Sequence, residues 1–122
     1  LAACQPGKPE AVTALRIEFG GEGLKLSAPR IIAGEEIRLT LANPGSEEHL
    51  LWLVADAVSD FSTPVPTRHI LFQARVPANQ TVEVTFTAPR AAGTYHWACS
   101  QPGHLEKGES VKVIVVQPAY AR

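Results

Sequence analysis

The chain has 122 residues, with 11 basic and 12 acidic side chains and a formal net charge of −1. This balance excludes a strongly basic surface of the kind that binds nucleic acid or anionic membranes. A hydrophobic content of 45% with 19% charged residues excludes a disordered chain, and the 10 prolines and 9 glycines exclude long helices and coiled coils. The chain has only 2 cysteines, too few for a disulfide framework, and no methionine.

The first four residues, Leu-Ala-Ala-Cys, resemble the end of a bacterial lipoprotein leader, which is cleaved before a cysteine that then carries lipid. We therefore expect residues 1–10 to be a leader remnant and a flexible tether, with Cys4 as the lipid anchor. Residues 11–122 are expected to form a single domain, because no composition shift divides them. Two alternatives stay open, namely a chance cysteine in an ordinary tail and a disulfide between Cys4 and Cys99. The pattern predicts an exported protein of the periplasm or cell envelope.

Short segments in which apolar and polar residues alternate predict β-strands separated by turns that contain glycine and proline. In chain order these segments are 13–19, 24–26, 37–41, 49–54, 70–76, 81–86, 95–99 and 111–116. The segment 49–54 is almost entirely apolar, which predicts a central strand covered on both faces. A longer connection follows it, with a short helical turn expected near 55–61. Seven or eight short strands predict an all-β, antiparallel Greek-key sandwich or barrel.

The residues that carry chemistry lie in the segment 93–104, Gly-Thr-Tyr-His-Trp-Ala-Cys-Ser-Gln-Pro-Gly-His. A predicted strand ends at Cys99, a Pro-Gly turn follows, and His104 comes directly after this turn. His49 begins an apolar strand much earlier in the chain, after an Asn-Pro-Gly turn. Loops at one end of a sandwich lie close together, so these three side chains can meet. Two imidazoles and a thiolate form the trigonal set that selects copper for electron transfer, although zinc could occupy the same ligands.

The segment 93–104 resembles the C-terminal copper loop of the cupredoxins, in the longer azurin-type spacing. Asn43 and His49 fall where this family has its first ligand strand. The segment 76–84 is similar to the hairpin that precedes the second ligand strand. The resemblance spans residues 11–117 and implies a cupredoxin-like Greek-key β-sandwich.

The resemblance also implies the site and its role. It assigns His49, Cys99 and His104 as ligands of one copper ion per chain, which cycles between Cu(II) and Cu(I) in an electron carrier rather than an enzyme. It further implies a small apolar patch around His104 where electrons leave, formed by Pro102, Gly103 and Leu105.

The chain departs from the family at two positions. Cupredoxins usually place an axial methionine shortly after the second histidine, where this chain has Gly108 and Glu109. Glu109 is the expected axial ligand, and a carboxylate, being harder than a thioether, favours Cu(II) and a lower potential. Glu106, Glu48, a backbone carbonyl, water or an open position are the alternatives. Azurin and plastocyanin have an asparagine after the first histidine, and its side chain connects the two ligand loops. The apolar side chain of Leu50 cannot make that connection.

The remaining aromatic and histidine residues are interpreted structurally. Trp52 and Trp97 are expected in the core. Trp97 shares a strand face with the cysteine, so it should pack beneath the copper with Tyr95 next along. His96 falls on the opposite face and is interpreted as a surface histidine. His69, at a strand start, is interpreted as solvated.

Two functions fit this pattern. The first is electron transfer between membrane-bound or periplasmic redox proteins, such as cytochromes and oxidases, which requires a fixed copper geometry. The second is copper handling, as in a chaperone, a storage protein or a nitrosocyanin-like site, which requires an open or carboxylate-ligated position. A metal-free interaction module of the same fold is a third possibility. The sequence contains no Ser-His-acid arrangement and no phosphate-binding glycine loop, and a monomer is expected.

Overall fold

The computed structural model describes residues 12–20, 23–55, 69–99 and 110–118. Within these ranges the chain forms nine strands. They are β1 (Ala14–Gly20), β2 (Gly23–Leu26), β3 (Arg30–Ile32), β4 (Glu36–Asn43), β5 (His49–Val54), β6 (Ile70–Val76), β7 (Gln80–Thr87), β8 (Gly93–Cys99) and β9 (Ser110–Val116).

The strands form two sheets, one of four strands in the order β2-β1-β4-β7 and one of five strands in the order β3-β9-β8-β5-β6. The predicted all-β sandwich is therefore confirmed, with nine strands in the described ranges instead of seven or eight. Most strand pairs are antiparallel, as expected, whereas β1 pairs with β4 and β3 pairs with β9 in parallel. Parallel neighbours arise here because the chain visits other strands before it returns beside the first one.

The strand that sequence patterning missed is β3. It has only 3 residues, too few to show an alternation, and it follows directly after Pro29. Ile31 is fully buried and faces the core. Backbone bonds outside the strand fix its position, since the Ala33 N–H donates to the Val116 carbonyl at 2.8 Å and the Ile114 N–H donates to the Pro29 carbonyl at 2.9 Å.

The core lies between the two sheets and is built from the inward-facing residues of the alternating strands. Trp97 is fully buried there, as predicted, and meets Phe86 edge to face with ring centroids 5.7 Å apart. Other buried members are Leu15, Ile17, Phe19, Ile37, Leu39, Leu41, Leu51, Leu53, Tyr95, Val113 and Val115.

β5 is an interior strand, since it lies between β8 and β6. Its residues alternate, with His49 and Leu51 buried and Leu50 and Trp52 half-buried on the other face. The prediction that Trp52 lies in the core is therefore wrong, because its position in the alternation places it on the outer face of the five-stranded sheet. For the same reason the strand is fully covered on only one of its two faces.

Several predicted features lie outside the described residues. These are the tether at 1–10, the helical turn expected near 55–61 beyond Ala55, and the loop between β8 and β9. In the described part of the chain, no helix is long and apolar enough to cross a membrane.

Candidate metal centre

His49 and Cys99 are brought together by two neighbouring strands of the five-stranded sheet. His49 is the first residue of β5 and Cys99 is the last residue of β8. These strands are antiparallel, with Leu51 opposite Cys99, so His49 is a diagonal neighbour of Cys99 on the same inward face. Diagonal neighbours are within reach of long or aromatic side chains. The C-terminal end of β8 therefore meets the N-terminal end of β5 at one end of the sandwich.

The two side chains are in direct contact and are screened from water. The Nδ1 atom of His49 lies 3.5 Å from the Sγ atom of Cys99. His49 is 7% exposed and Cys99 is 0% exposed. Among the described residues Cys99 forms no disulfide bond, and Cys4, its partner in the open disulfide alternative, lies outside them. The thiol and an imidazole nitrogen thus face each other inside the protein.

The opposite sheet holds the imidazole on its other side. Phe19, near the end of β1, is 2% exposed. Its ring is stacked on that of His49, with centroids 4.4 Å apart and planes inclined by 17°. The imidazole is therefore held by a ring stack from the four-stranded sheet as well as by its own strand. The sequence predicts only an alternating strand over 13–19, and it could not identify the residue that Phe19 contacts, because that contact crosses the sandwich.

A buried asparagine fixes the turn that leads to His49. Asn43, the last residue of β4, is 1% exposed. Its Nδ2 atom donates to the carbonyls of Glu47 at 2.7 Å and of Val76 and Pro77 at 3.2 Å each. Its Oδ1 atom accepts a bond from the Gly45 N–H at 3.1 Å. One side chain therefore connects the β4–β5 turn to the start of the β6–β7 turn.

Known proteins share this architecture. No protein-family model matches the chain. Auracyanin-A of Chloroflexus aurantiacus is 29% identical over 109 residues, which cover 72% of this chain and 67% of that protein. The solved structure of auracyanin A, a "blue" copper protein of this green thermophilic photosynthetic bacterium, matches with a TM-score of 0.67 and 27% identity, covering 84% of this chain and 98% of the other. The chain is similar in sequence to auracyanin-A and has the cupredoxin fold.

Two further solved structures agree in fold. Dithionite-reduced auracyanin of Roseiflexus castenholzii has a TM-score of 0.68 at 23% identity, covering 87% of this chain and 98% of that one. Rusticyanin of Thiobacillus ferrooxidans has a TM-score of 0.65 at 20% identity, covering 87% and 79%. The cupredoxin-like fold implied by the resemblance of the Cys99 loop is thus confirmed.

The paired donors of this chain fit a metal ion. A zinc ion bonded to sulfur at about 2.3 Å and to nitrogen at about 2.0–2.1 Å sets the two donor atoms about 3.5 Å apart at a tetrahedral angle. At a trigonal angle the same bonds give about 3.7 Å. The Nδ1–Sγ separation of 3.5 Å agrees with this range. It also suits a thiol–imidazole hydrogen bond, so the same arrangement serves the metal-free protein.

Glu48, one of the alternative axial ligands, is engaged elsewhere. Its carboxylate forms an ion pair with the guanidinium of Arg75, whose side chain is 73% exposed. Arg75 is the strand partner of Leu50, on the outer face of the sheet. Glu48 therefore points towards the solvent side of β5, away from the face that carries His49 and Cys99.

Most of the other predicted site residues lie outside the part of the chain that the structure describes. Those that lie outside the described residues are Cys4, Pro102, Gly103, His104, Leu105, Glu106, Gly108 and Glu109. Among the described residues, no group of three His, Cys, Asp or Glu side chains is placed to hold a metal. The described half of the site is thus the pair of His49 and Cys99. His96 lies on the outer face of β8 opposite Lys112 and is half-buried, and His69 is half-buried before β6.

Proposed function

We propose that this cupredoxin binds one copper ion through His49, Cys99 and His104 and carries single electrons between redox proteins of the cell envelope. The observation that carries the proposal is the buried pair of His49 and Cys99, whose donor atoms are 3.5 Å apart. A copper ion bound there would supply one-electron exchange between Cu(II) and Cu(I). The homology to auracyanin A, a "blue" copper protein, supports the same reading.

The protein's contribution is a fixed and dry donor pair. His49 and Cys99 lie on sheet strands and not on loops, and well-packed strands hold side chains more precisely than loops do. The stack on Phe19 restrains rotation of the imidazole. Burial of both donors keeps water from competing for the metal. A site that changes little between oxidation states suits an electron carrier better than an exchangeable copper store.

We further propose Glu109 as the axial ligand. The 122 residues include no methionine, so none of them can supply a thioether, and Glu48 is paired with Arg75. Glu106, a backbone carbonyl, water or an open position are the competing assignments. A carboxylate is a harder ligand than a thioether and stabilises Cu(II). Replacing Glu109 by Met should therefore raise the potential, and an unchanged potential and spectrum would count against this role.

The site would exchange electrons through His104, with Pro102, Gly103 and Leu105 as the apolar contact patch for cytochromes or oxidases. Residues 11–122 would form one monomeric domain, and lipid on Cys4 would hold it at the membrane through the tether at 1–10. Mass spectrometry of the protein from its native source tests the anchor, since an unlipidated Cys4 would remove it. Alanine at Leu105 should slow electron exchange with a partner and leave the optical spectrum unchanged.

The decisive experiment is an optical spectrum of the copper-loaded protein combined with a redox titration. We expect an intense thiolate-to-copper band that disappears on reduction and returns on oxidation. The matched control is Cys99→Ala, which should lose the band while the far-ultraviolet circular dichroism stays that of a β-sandwich. A wild-type protein without any thiolate band would overturn the proposal. A band that bleaches irreversibly, with loss of copper, would favour the copper-handling alternative.

A further inference from the structure

Asn43 and His49 are the two buried polar side chains of the described residues. An asparagine amide offers two donors and one carbonyl acceptor. In Asn43 both kinds of group are used, because Nδ2 faces three backbone carbonyls and Oδ1 accepts from a backbone N–H. A polar side chain that is 1% exposed and fully hydrogen-bonded fixes the backbone groups around it. Breaking any of these bonds would leave a buried polar group without a partner, which is energetically costly.

The bonds of Asn43 divide between two turns, and we call this set of bonds the Asn43 clasp. Gly45 and Glu47 belong to the turn that leads from β4 into β5. Val76 and Pro77 belong to the end of β6 and the turn after it. A backbone bond runs beside the clasp, because the Asn79 N–H donates to the Gly45 carbonyl at 2.9 Å. The two turns are therefore fastened to each other directly next to His49.

The position of His49 depends on this fastening. Within the described residues, the ladder between β5 and β8 ends at Leu51 and Cys99, short of His49. On the β6 side, the strand partner of His49 is Val76, whose carbonyl accepts from Asn43. Glu47, whose carbonyl also accepts from Asn43, lies two residues before His49. The clasp thus fixes the backbone just before the histidine and the neighbouring strand beside it.

We propose that Asn43 is a positioning residue of the copper centre, which fixes the backbone of His49 so that Nδ1 faces the Cys99 thiol before the metal arrives. The proposal rests on the copper-binding function proposed above. The clasp acts through the β4–β5 turn and through Val76, and all of its bonds are to backbone groups of the protein. Loss of the clasp should therefore loosen the donor pair even when copper is absent.

The test compares Asn43→Ser with Ile37→Ala, both in a Cys4→Ser background that leaves Cys99 as the single thiol. Serine retains a hydroxyl for the local turn but cannot reach both turns. Ile37 lies at the far end of the same strand, is fully buried and has no part in the clasp, so its variant controls for lost stability. If Asn43→Ser does not fold, Asn43→Asp, which keeps the side-chain length and one acceptor oxygen, takes its place.

In the copper-free protein, Asn43→Ser should speed alkylation of Cys99 and amide exchange at Gly45 by about tenfold or more beyond the change in Ile37→Ala. In the copper-loaded protein, copper affinity should fall by about 10–100-fold, and the thiolate-to-copper band should shift. Equal alkylation, exchange and affinity in the two variants would overturn the role of Asn43. A wild-type protein without a thiolate band would instead overturn copper binding, and the copper-free measurements would still decide whether Asn43 positions His49.

Discussion

The stacking of Phe19 on His49 allows the effect of a substitution at Phe19 on the free energy of unfolding to be predicted from the ring geometry. We consider Phe19→Leu, which keeps an apolar, inward-facing side chain and removes only the aromatic face. The ring centroids are 4.4 Å apart and the planes are inclined by 17°, and stacked pairs of this kind contribute about 0.5–1.5 kcal/mol beyond the area they bury. Together with the lost volume at a site that is 2% exposed, the variant should lower the free energy of unfolding by roughly 1–2 kcal/mol.

The same stack should influence the copper potential. An aromatic face carries negative charge density and favours a positively polarised partner. The imidazole of His49 is more strongly polarised when bound to Cu(II), so the stack stabilises the oxidised state and its removal raises the potential. If the whole stacking energy, at most about 1.5 kcal/mol, acted on one oxidation state, it would change the redox equilibrium constant about tenfold. For a one-electron couple a tenfold change is about 59 mV, so the shift in potential would be about 60 mV. We therefore expect a rise of some tens of millivolts, with about 60 mV as the ceiling.

Redox titration of the thiolate-to-copper band measures this shift, and urea unfolding of the copper-free protein measures the stability. Phe86→Leu is the matched control, because Phe86 is also a core phenylalanine, stacked on Phe72 at 4.7 Å instead of on a metal ligand. It should lose comparable stability and leave the potential unchanged. A fall in potential for Phe19→Leu, or an equal shift in both variants, would refute the reasoning.

Three further predictions test the site and the core. Copper at a concentration 100-fold above its Kd should stabilise the protein by about 2.7 kcal/mol and raise the melting temperature by about 10 °C. Calorimetry measures this rise, and an equal rise in Cys99→Ala would contradict the prediction. Trp97→Ala should lower the free energy of unfolding by about 3–5 kcal/mol, because Trp97 is fully buried, and a loss below 1 kcal/mol in urea would be inconsistent with that burial. Arg75→Gln should cost less than about 1 kcal/mol, since its ion pair is largely exposed, and a larger loss would show that the pair supports the β5 backbone.

The strands could be predicted where turns bound them clearly. Both β5 and β6 have the predicted limits, because each segment is apolar or alternating and a proline-containing turn lies beside it. The parallel partners could not be predicted, since alternation reports which face a residue occupies and not which strand lies beside it. Trp52 was misassigned for a related reason, because an almost continuous apolar run conceals which residues face inward.

The metal donors could be predicted from residue type and spacing, whereas their supports could not. His49 and Cys99 are recognisable because few other residues bind soft metals. Phe19 shows only an ordinary apolar alternation, and its contact with His49 crosses from one sheet to the other. Asn43 was recognised as the start of a turn, but its bonds to Val76 and Pro77 join segments far apart in the chain. Supports of this kind depend on tertiary placement, which local pattern does not encode.

The arrangement of the described donors also constrains how the proposed copper centre can be tuned. His49 is held by the register of β5 with β6, by the Phe19 ring and by the Asn43 clasp, and Cys99 is fully buried on β8. A donor pair fixed in this way leaves little freedom for adjustment from the strands. Tuning must then come from the remaining ligands, and the 122 residues contain no methionine to supply a thioether. An oxygen donor such as Glu109 stabilises Cu(II), so we expect this protein to work at a lower potential than a cupredoxin with an axial methionine.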